Sequence, residues 1–433
     1  MHNALSQTPI CAPATACGGA ISIIRISGQG SVAITDGLFH GHGSLLQAKS
    51  HTLHYGTIEE RGEVVDEVLV SIFREGHSYT GEESVEISCH GSAYITEKIC
   101  HLLIEAGCIM AEPGEFTKRA FRNGKMDLTQ AEAVADLIAS RGAAQHRVAM
   151  HQMRGGISSK LSELRQNLLT LSSLLELELD FSDHEELEFA DRHQLLSLTE
   201  QLRSEIQLLL DSFRQGNAIR NGVPVAILGA PNVGKSTLLN QLLQDDKAIV
   251  SDIAGTTRDV IEDTITIQGT LFRFIDTAGL RKTTDKIEAI GIERALAAAE
   301  QAQIVILMRD PEADFPSLPL RSDQTVLRVV NKSETFQAIN GKGLDELKQQ
   351  LLAAVEPTDE NAVLITNARH YQILSLALAD IQRTEQALQD GLSADLISED
   401  LRLCLHHLGE ISGAEISSDE VLHNIFQHFC IGK

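Results

Sequence analysis

Hydrophobic and polar positions change their period twice along this chain. Up to about residue 122, alternating runs mix with helical ones. AISIIRISG reads as a strand ending at Gly28, and VVDEVLVSIF as another. In SVEISCHG, Val85, Ile87 and Cys89 fall on one face and Glu86, Ser88 and His90 on the other. AYITEKICHLLIEAG has the spacing of a helix stopped at Gly107. From 123 to about 216 the period is helical. Leu161, Leu164, Leu168, Leu171 and Leu175 recur at three- and four-residue steps, and Leu198, Leu202, Ile206, Leu209 and Phe213 repeat the device. Both runs predict core seams of packed helices. GNAIRNG (216–222) is expected to break the chain, after which short apolar runs alternate with helices to about 356, the pattern of an α/β unit. Helical patterns resume at NARHYQILSLALADIQ. Two helical stretches flanking a self-contained unit predict a helical domain with an α/β domain inserted into it. The expected boundaries are 1–122, 123–220, 221–356 and 357–433.

Composition narrows the class. A length of 433 residues implies two or three domains, and with no Trp and 4% aromatics the cores must be aliphatic. A net charge of -24 argues against broad electrostatic binding to nucleic acid or anionic membrane, although EFTKRAFRNGK (115–125) is a candidate basic patch. Seven scattered cysteines without a CxxC pair suggest reduced thiols. No apolar run approaches the ~20 residues of a membrane span, and the N-terminus lacks a secretion-signal pattern. The expected location is cytoplasmic, with no membrane partner.

Chemistry enters at Gly229-Ala230-Pro231-Asn232-Val233-Gly234-Lys235-Ser236, a GxxxxGK[ST] run between the strand-like VPVAIL and the helix-like STLLNQLL. Glycines there let backbone N–H groups turn toward phosphate at a helix N-terminus. Lys235 would neutralise the β- and γ-phosphates and Ser236 would hold Mg²⁺. Further motifs follow in order: Thr256-Thr257, then Asp276-Thr277-Ala278-Gly279 after LFRFI, then Asn331-Lys332-Ser333-Glu334 after VLRVV. The first supplies a switch threonine for Mg²⁺ and the second a γ-phosphate sensor. The third looks like the guanine-reading NKxD with Glu334 in place of Asp, so GTP is expected over ATP. Leu280 stands where many small GTPases place a water-orienting Gln, so either hydrolysis is very slow or another group does the work.

At this point the chain resembles the tRNA-uridine-modifying GTPases called MnmE or TrmE. The likeness rests on GGAISIIRISG, YTGEESVEISCHG, AEPGEFTKRAFRNGKMDLTQAEAVADLI, GAPNVGKSTLLN, SDIAGTTRDV, DTAGLRKTTDKIEAIGIERA and the final FCIGK, in that order. The resemblance implies a mixed α/β N-terminal domain that binds folate and dimerises the protein, a helical domain, and an inserted Ras-like P-loop G domain. It implies addition of an aminomethyl or carboxymethylaminomethyl group at C5 of wobble uridine 34 of certain tRNAs. The implied partner is FAD-dependent MnmG in a heterotetramer, and the implied one-carbon source is 5-formyltetrahydrofolate or a related tetrahydrofolate. Potassium-activated hydrolysis is also implied, with Asn232, Ser251, Ile253 and Thr256 as K⁺ ligands, Ser236 and Thr257 on Mg²⁺, and Glu288 orienting the water. Further nucleotide contacts carried over are Val233, Gly234, Lys235, Thr237, Asp252, Ala254, Gly255, Asp276, Thr277, Ala278, Gly279, Asn331, Lys332 and Glu334. For folate the pattern maps onto Arg25, Glu86, Lys125 and Lys433. Taken alone, Arg25 and Lys125 read as surface charges and Glu86 as a solvated strand residue. This chain departs from the family where it reads TFQAINGKGLDEL: Gln337-Ala338 replaces the usual Ser-Ala, after a shortened spacing from Asn331.

The tail Cys430-Ile431-Gly432-Lys433 admits three readings: prenylation box, working thiol, frayed end. Its glycine, its terminal lysine and the lack of a polybasic run disfavour the first. Ser417-Ser418-Asp419-Glu420 offers a capping box, and Leu422, Ile425, Phe426 and Phe429 a stripe, which disfavours the third. A helix docked on the helical domain would fix where Cys430 points, and the resemblance gives Cys430 a role in the uridine chemistry. The competing function is a regulatory or ribosome-assembly GTPase without covalent RNA chemistry. A third is a scaffold whose nucleotide site has decayed.

Overall fold

A computed structural model describes residues 8–180, 192–247, 263–275, 296–355, 362–415, 419–427, 429 and 432. The chain divides into two compact units, one of residues 1–135 with 412–433 and the other of 136–411.

The first unit is built on a seven-stranded sheet. Its strands are β1 (Ile10–Pro13), β2 (Ile21–Ser27), β3 (Phe39–Gly41), β4 (Thr52–Glu60), β5 (Glu63–Phe73), β6 (Ser84–His90) and β7 (Ile109–Met110), in the order β3-β4-β5-β6-β2-β1-β7. All neighbours are antiparallel except β1 and β7. The alternation predicted for β6 holds: Val85, Ile87 and Cys89 are buried, while Glu86, Ser88 and His90 face the other way. Helix α1 (Ser31–Asp36) follows β2, and helix α2 (Ala93–Glu105) covers the apolar face with Ile99 and Leu103. The opposite face carries the paired Arg25 and Glu86 and exposes Ile21, Leu53, Tyr55 and Leu69. Helices α3 (Glu115–Arg122) and α4 (Leu128–Ala139) follow.

In the second unit, helices α5 (Ala143–Met153), α6 (Gly156–Asp180), α7 (Arg192–Asp211) and α8 (Phe213–Asn221) precede a five-stranded sheet. Its strands β8 (Val223–Gly229), β9 (Asp263–Ile267), β10 (Thr270–Phe274), β11 (Ile304–Arg309) and β12 (Thr325–Val330) lie in the order β12-β11-β8-β10-β9. Only the β9–β10 hairpin is antiparallel. Helix α9 (Lys235–Lys247) follows β8, and α10 (Leu344–Ala353), α11 (Ala368–Gln389) and α12 (Ala394–Ser412) follow β12. The five leucines predicted for α6 are all buried, in one cluster with Leu374, Ile381, Leu401 and Leu408 from α11 and α12. That cluster joins chain segments from before and after the sheet.

One expectation needs correction. GNAIRNG does not break the chain, because 216–221 lie in α8. Gly216 is there for a close approach: a Cβ would collide with the carbonyl oxygen of Ile365. The seam predicted along α7 holds: Leu202, Ile206 and Leu209 are buried, and Leu198 and Phe213 pack half-buried against the same cluster. Leu195 and Thr199 are buried beside them, and Phe213, from the next helix, stacks on Tyr371 at 4.5 Å. The terminal helix α13 (Asp419–Phe426) packs as its stripe predicts, Leu422 and Phe426 meeting Leu128 and Ala131 of the 123–220 segment with Phe121, Ile425 and Phe429 beside them. Ser417 and Ser418 of the expected capping box lie outside the described residues. Among the described residues no helix is long and apolar enough to cross a membrane.

Candidate functional site

Parallel strands of the second sheet end together, and the nucleotide motifs sit at those ends. Gly229 closes β8 and Asn331 follows β12. This is the edge where open α/β sheets bind ligands. Asn232 (φ 62°) and Gly234 (φ 98°) take left-handed backbone that turns the loop over the start of α9. Asn232 is exposed, Val233 is buried, and Ser236 and Thr237 are half-buried in the first turn of α9. Lys235 Nζ donates to the carbonyls of Gly229 and Ala230, both at 2.8 Å, which holds the ammonium over the loop. Burial pushes its pKa below the ordinary lysine value.

Asn331 ties the loop to the turn that follows β12. It is 4% exposed, donates from Nδ2 to the Val233 carbonyl at 2.8 Å, and accepts at Oδ1 from the Ala338 N–H at 2.9 Å. Both ends of one amide are therefore used. The replacement Gln337-Ala338 is accommodated by a short turn in which Gln337 N donates to Lys342 O at 3.0 Å. No strand intervenes between β12 and α10, yet the N–H of Ala338 still reaches Asn331. Lys332 (φ 57°) reaches back to Asn232 O at 3.3 Å, and Glu334 is exposed on the same turn.

A second site lies on the first unit. Arg25 donates through Nε (2.9 Å) and Nη2 (2.8 Å) to Oε1 of Glu86, so its cross-strand neighbour fixes the guanidinium plane. The guanidinium carbon sits 5.5 Å from the centroid of Tyr79 and 5.7 Å from that of Phe116. A cavity of about 110 Å³ opens beside them, lined by Arg25, Phe73, His77, Ser78, Tyr79, Thr80, Ser84 and Glu86. One guanidinium, one carboxylate, two ring faces and several hydroxyls fit the amino edge and carboxylate tail of a pterin-type cofactor. Lys125 does not line the cavity. Its Nζ donates to Gly76 O at 3.1 Å and braces the 76–81 loop that forms one wall. The tail reaches this site too: Arg25 Nη1 donates to the Gly432 carbonyl at 3.2 Å.

Sequence reasoning did not single out Tyr79, Phe116 or the hydroxyl group around Ser27, Thr80 and Ser84, where Ser27 Oγ and Thr80 Oγ1 lie 2.7 Å apart. It also overcounted the basic patch. Arg119 is 6% exposed and turned inward to Glu82 and Glu115 at 3.3 and 3.0 Å, leaving Arg122 and Lys125 as its exposed cations. Ser251, Asp252, Ile253, Ala254, Gly255, Thr256, Thr257, Asp276, Thr277, Ala278, Gly279, Glu288, Cys430 and Lys433 lie outside the described residues.

Comparison with known proteins places the whole chain. A family model described as the MnmE helical domain matches residues 128–430, and one described as the GTP-binding protein TrmE N-terminus matches 9–125. The chain is 51% identical to the tRNA modification GTPase MnmE of Parabacteroides distasonis, over 99% of this chain and 100% of that protein. It is 50% identical to the protein of the same name from Bacteroides fragilis and 48% to that of Flavobacterium johnsoniae, each over 99% of this chain and 100% of the relative. The phosphate loop laced to its asparagine, and the arginine-centred cavity with the tail upon it, thus occur in a chain that belongs to the MnmE (TrmE) family of tRNA modification GTPases.

Proposed function

We propose that this protein is a potassium-activated GTP hydrolase that modifies tRNA. With an FAD-dependent MnmG partner in a heterotetramer, it adds an aminomethyl or carboxymethylaminomethyl group at C5 of wobble uridine 34, using a folate one-carbon unit. The observation that carries this reading is near-half identity, end to end, with relatives named tRNA modification GTPase MnmE. In this reading the helical domain of 123–220 and 357–433 receives an inserted G domain at 221–356, behind a folate domain at 1–122. The exposed apolar side chains beside Arg25 and Glu86 support homodimerisation through that sheet face.

Within the G site, Asn331, Lys332 and Glu334 read guanine while the Gly229–Ser236 loop wraps the phosphates. Ser236 and Thr257 hold Mg²⁺, and Asn232 with Ser251, Ile253 and Thr256 holds K⁺, whose charge beside the phosphates offsets what builds up during cleavage. Glu288 orients the water in place of the absent Gln. Arg25, Glu86, Lys125 and Lys433 hold the folate. The Arg25–Gly432 bond supports a place for Cys430 near that cofactor, since only Ile431 separates the thiol-bearing residue from Gly432. Two measurements test the reading. Nucleoside analysis of tRNA from cells with and without the protein must show the modification lost in its absence. GTP turnover must be faster in KCl than in NaCl, and equal rates refute the potassium assignment. Cys430→Ser should keep hydrolysis and lose modification.

A further inference from the structure

The end of β11 carries a carboxylate that the nucleotide motifs leave unexplained. Arg309 pins the turn after β11 by donating through Nη1 to the carbonyls of Asp310, Pro311 and Ala313 at 3.1, 2.8 and 2.9 Å. Its guanidinium carbon lies 5.0 Å from the Phe315 ring centroid. From this clamped turn, Asp310 Oδ2 accepts from Lys332 Nζ at 2.9 Å, and the same ammonium donates to Asn232 O at 3.3 Å. Asp310 Oδ1 is buried and has no hydrogen-bond partner among the described residues.

We propose that Asp310 is a positioning residue for guanine-nucleotide recognition. It holds the Lys332 ammonium against the Asn232 carbonyl, so that the base-reading turn and the phosphate loop keep one arrangement before nucleotide arrives. Two non-glycine residues in left-handed backbone, Asn232 at 62° and Lys332 at 57°, are thereby joined by one cation. Neither backbone would hold its place cheaply alone. An exposed ion pair contributes little to stability, but this one has a different task. Without the carboxylate, the four-carbon stem of Lys332 regains its rotamers, and nucleotide binding must then order it. Arg309 makes the anchor stiff, because its three carbonyl contacts leave the Asp310 backbone little room to follow a displaced lysine.

The inference rests on the GTPase reading, so its test separates the two. Fluorescent methylanthraniloyl-GDP is titrated against the full-length protein and against Asp310→Asn, Asp310→Glu, Lys332→Ala and the Asp310→Asn/Lys332→Ala pair. The expected result is about three- to tenfold weaker binding for Asp310→Asn, partial recovery in Asp310→Glu, and a double variant no weaker than Lys332→Ala. Wild-type affinity in Asp310→Asn overturns the proposal, as does wild-type affinity in Lys332→Ala or a multiplied loss in the double variant. A loss in Asp310→Asn with a lowered unfolding midpoint and no recovery in Asp310→Glu marks a merely structural residue and also overturns it. If the wild-type protein binds no guanine nucleotide, the GTPase reading itself fails, and the proposal with it.

Discussion

Replacing Gly234 by alanine adds one methyl group where the structure has space for none. The residue sits at φ 98°, and a Cβ there would lie inside van der Waals contact with Nδ2 of Asn331. Two costs follow. Left-handed backbone costs an L-residue about 1–2 kcal/mol. Pushing Asn331 aside removes its 2.8 Å bond to Val233 O, and an unsatisfied buried group costs about 1–3 kcal/mol. The sum is about 2–5 kcal/mol against the native loop. Since about 1.4 kcal/mol is tenfold in an equilibrium constant, even the lower end should weaken methylanthraniloyl-GDP binding more than tenfold. The assay is that titration, alongside urea unfolding followed by circular dichroism. Asn331→Ala alone should also weaken binding, and adding it to Gly234→Ala should cost less than the two separate losses together, because the methyl then meets open space. Gly234→Ala with unchanged affinity and midpoint would refute the reasoning, as would strictly additive losses.

Other outcomes follow from the same contacts. Arg25→Lys keeps the charge but loses the two-nitrogen hold on Glu86, so calorimetric affinity for 5-formyltetrahydrofolate should fall about tenfold or more while GTP turnover is retained. Gly432→Ala should lift the tail from Arg25, since a Cβ would come 2.8 Å from Ala14 Cα at φ 88°; tRNA modification should be lost with hydrolysis intact. His90 is raised above the ordinary histidine value by its 2.7 Å bond to Asp66. Its contribution to stability is therefore complete below the unfolded value of about 6.5 and is lost as pH rises through the raised folded value. Asp66→Asn should move the imidazole titration, followed by NMR, back toward acid.

What the sequence disclosed was local. The phosphate loop, its strand and its helix are contiguous, so spacing alone places Lys235 and Ser236 on the first turn of α9. The alternation in β6 is equally local, because pleat geometry dictates it. What stayed hidden needed distant partners. Tyr79 and Phe116 flank Arg25 only after β2, the 76–81 loop and α3 assemble. Gly216 reads as a break because its purpose is a carbonyl some 150 residues away in the chain, and close approach leaves no trace in propensity. Arg119 joins a basic count by identity, yet Glu82 and Glu115 take it out of the surface.

Helix α8 has a mechanical consequence. It ends at Asn221 and β8 begins at Val223, so a single residue couples a rigid rod to the central strand whose far end forms the phosphate loop. A slack strap would have absorbed a shift of β8. A one-residue joint leaves little slack for that, and the start of α8 is held at Phe213 by the ring of Tyr371.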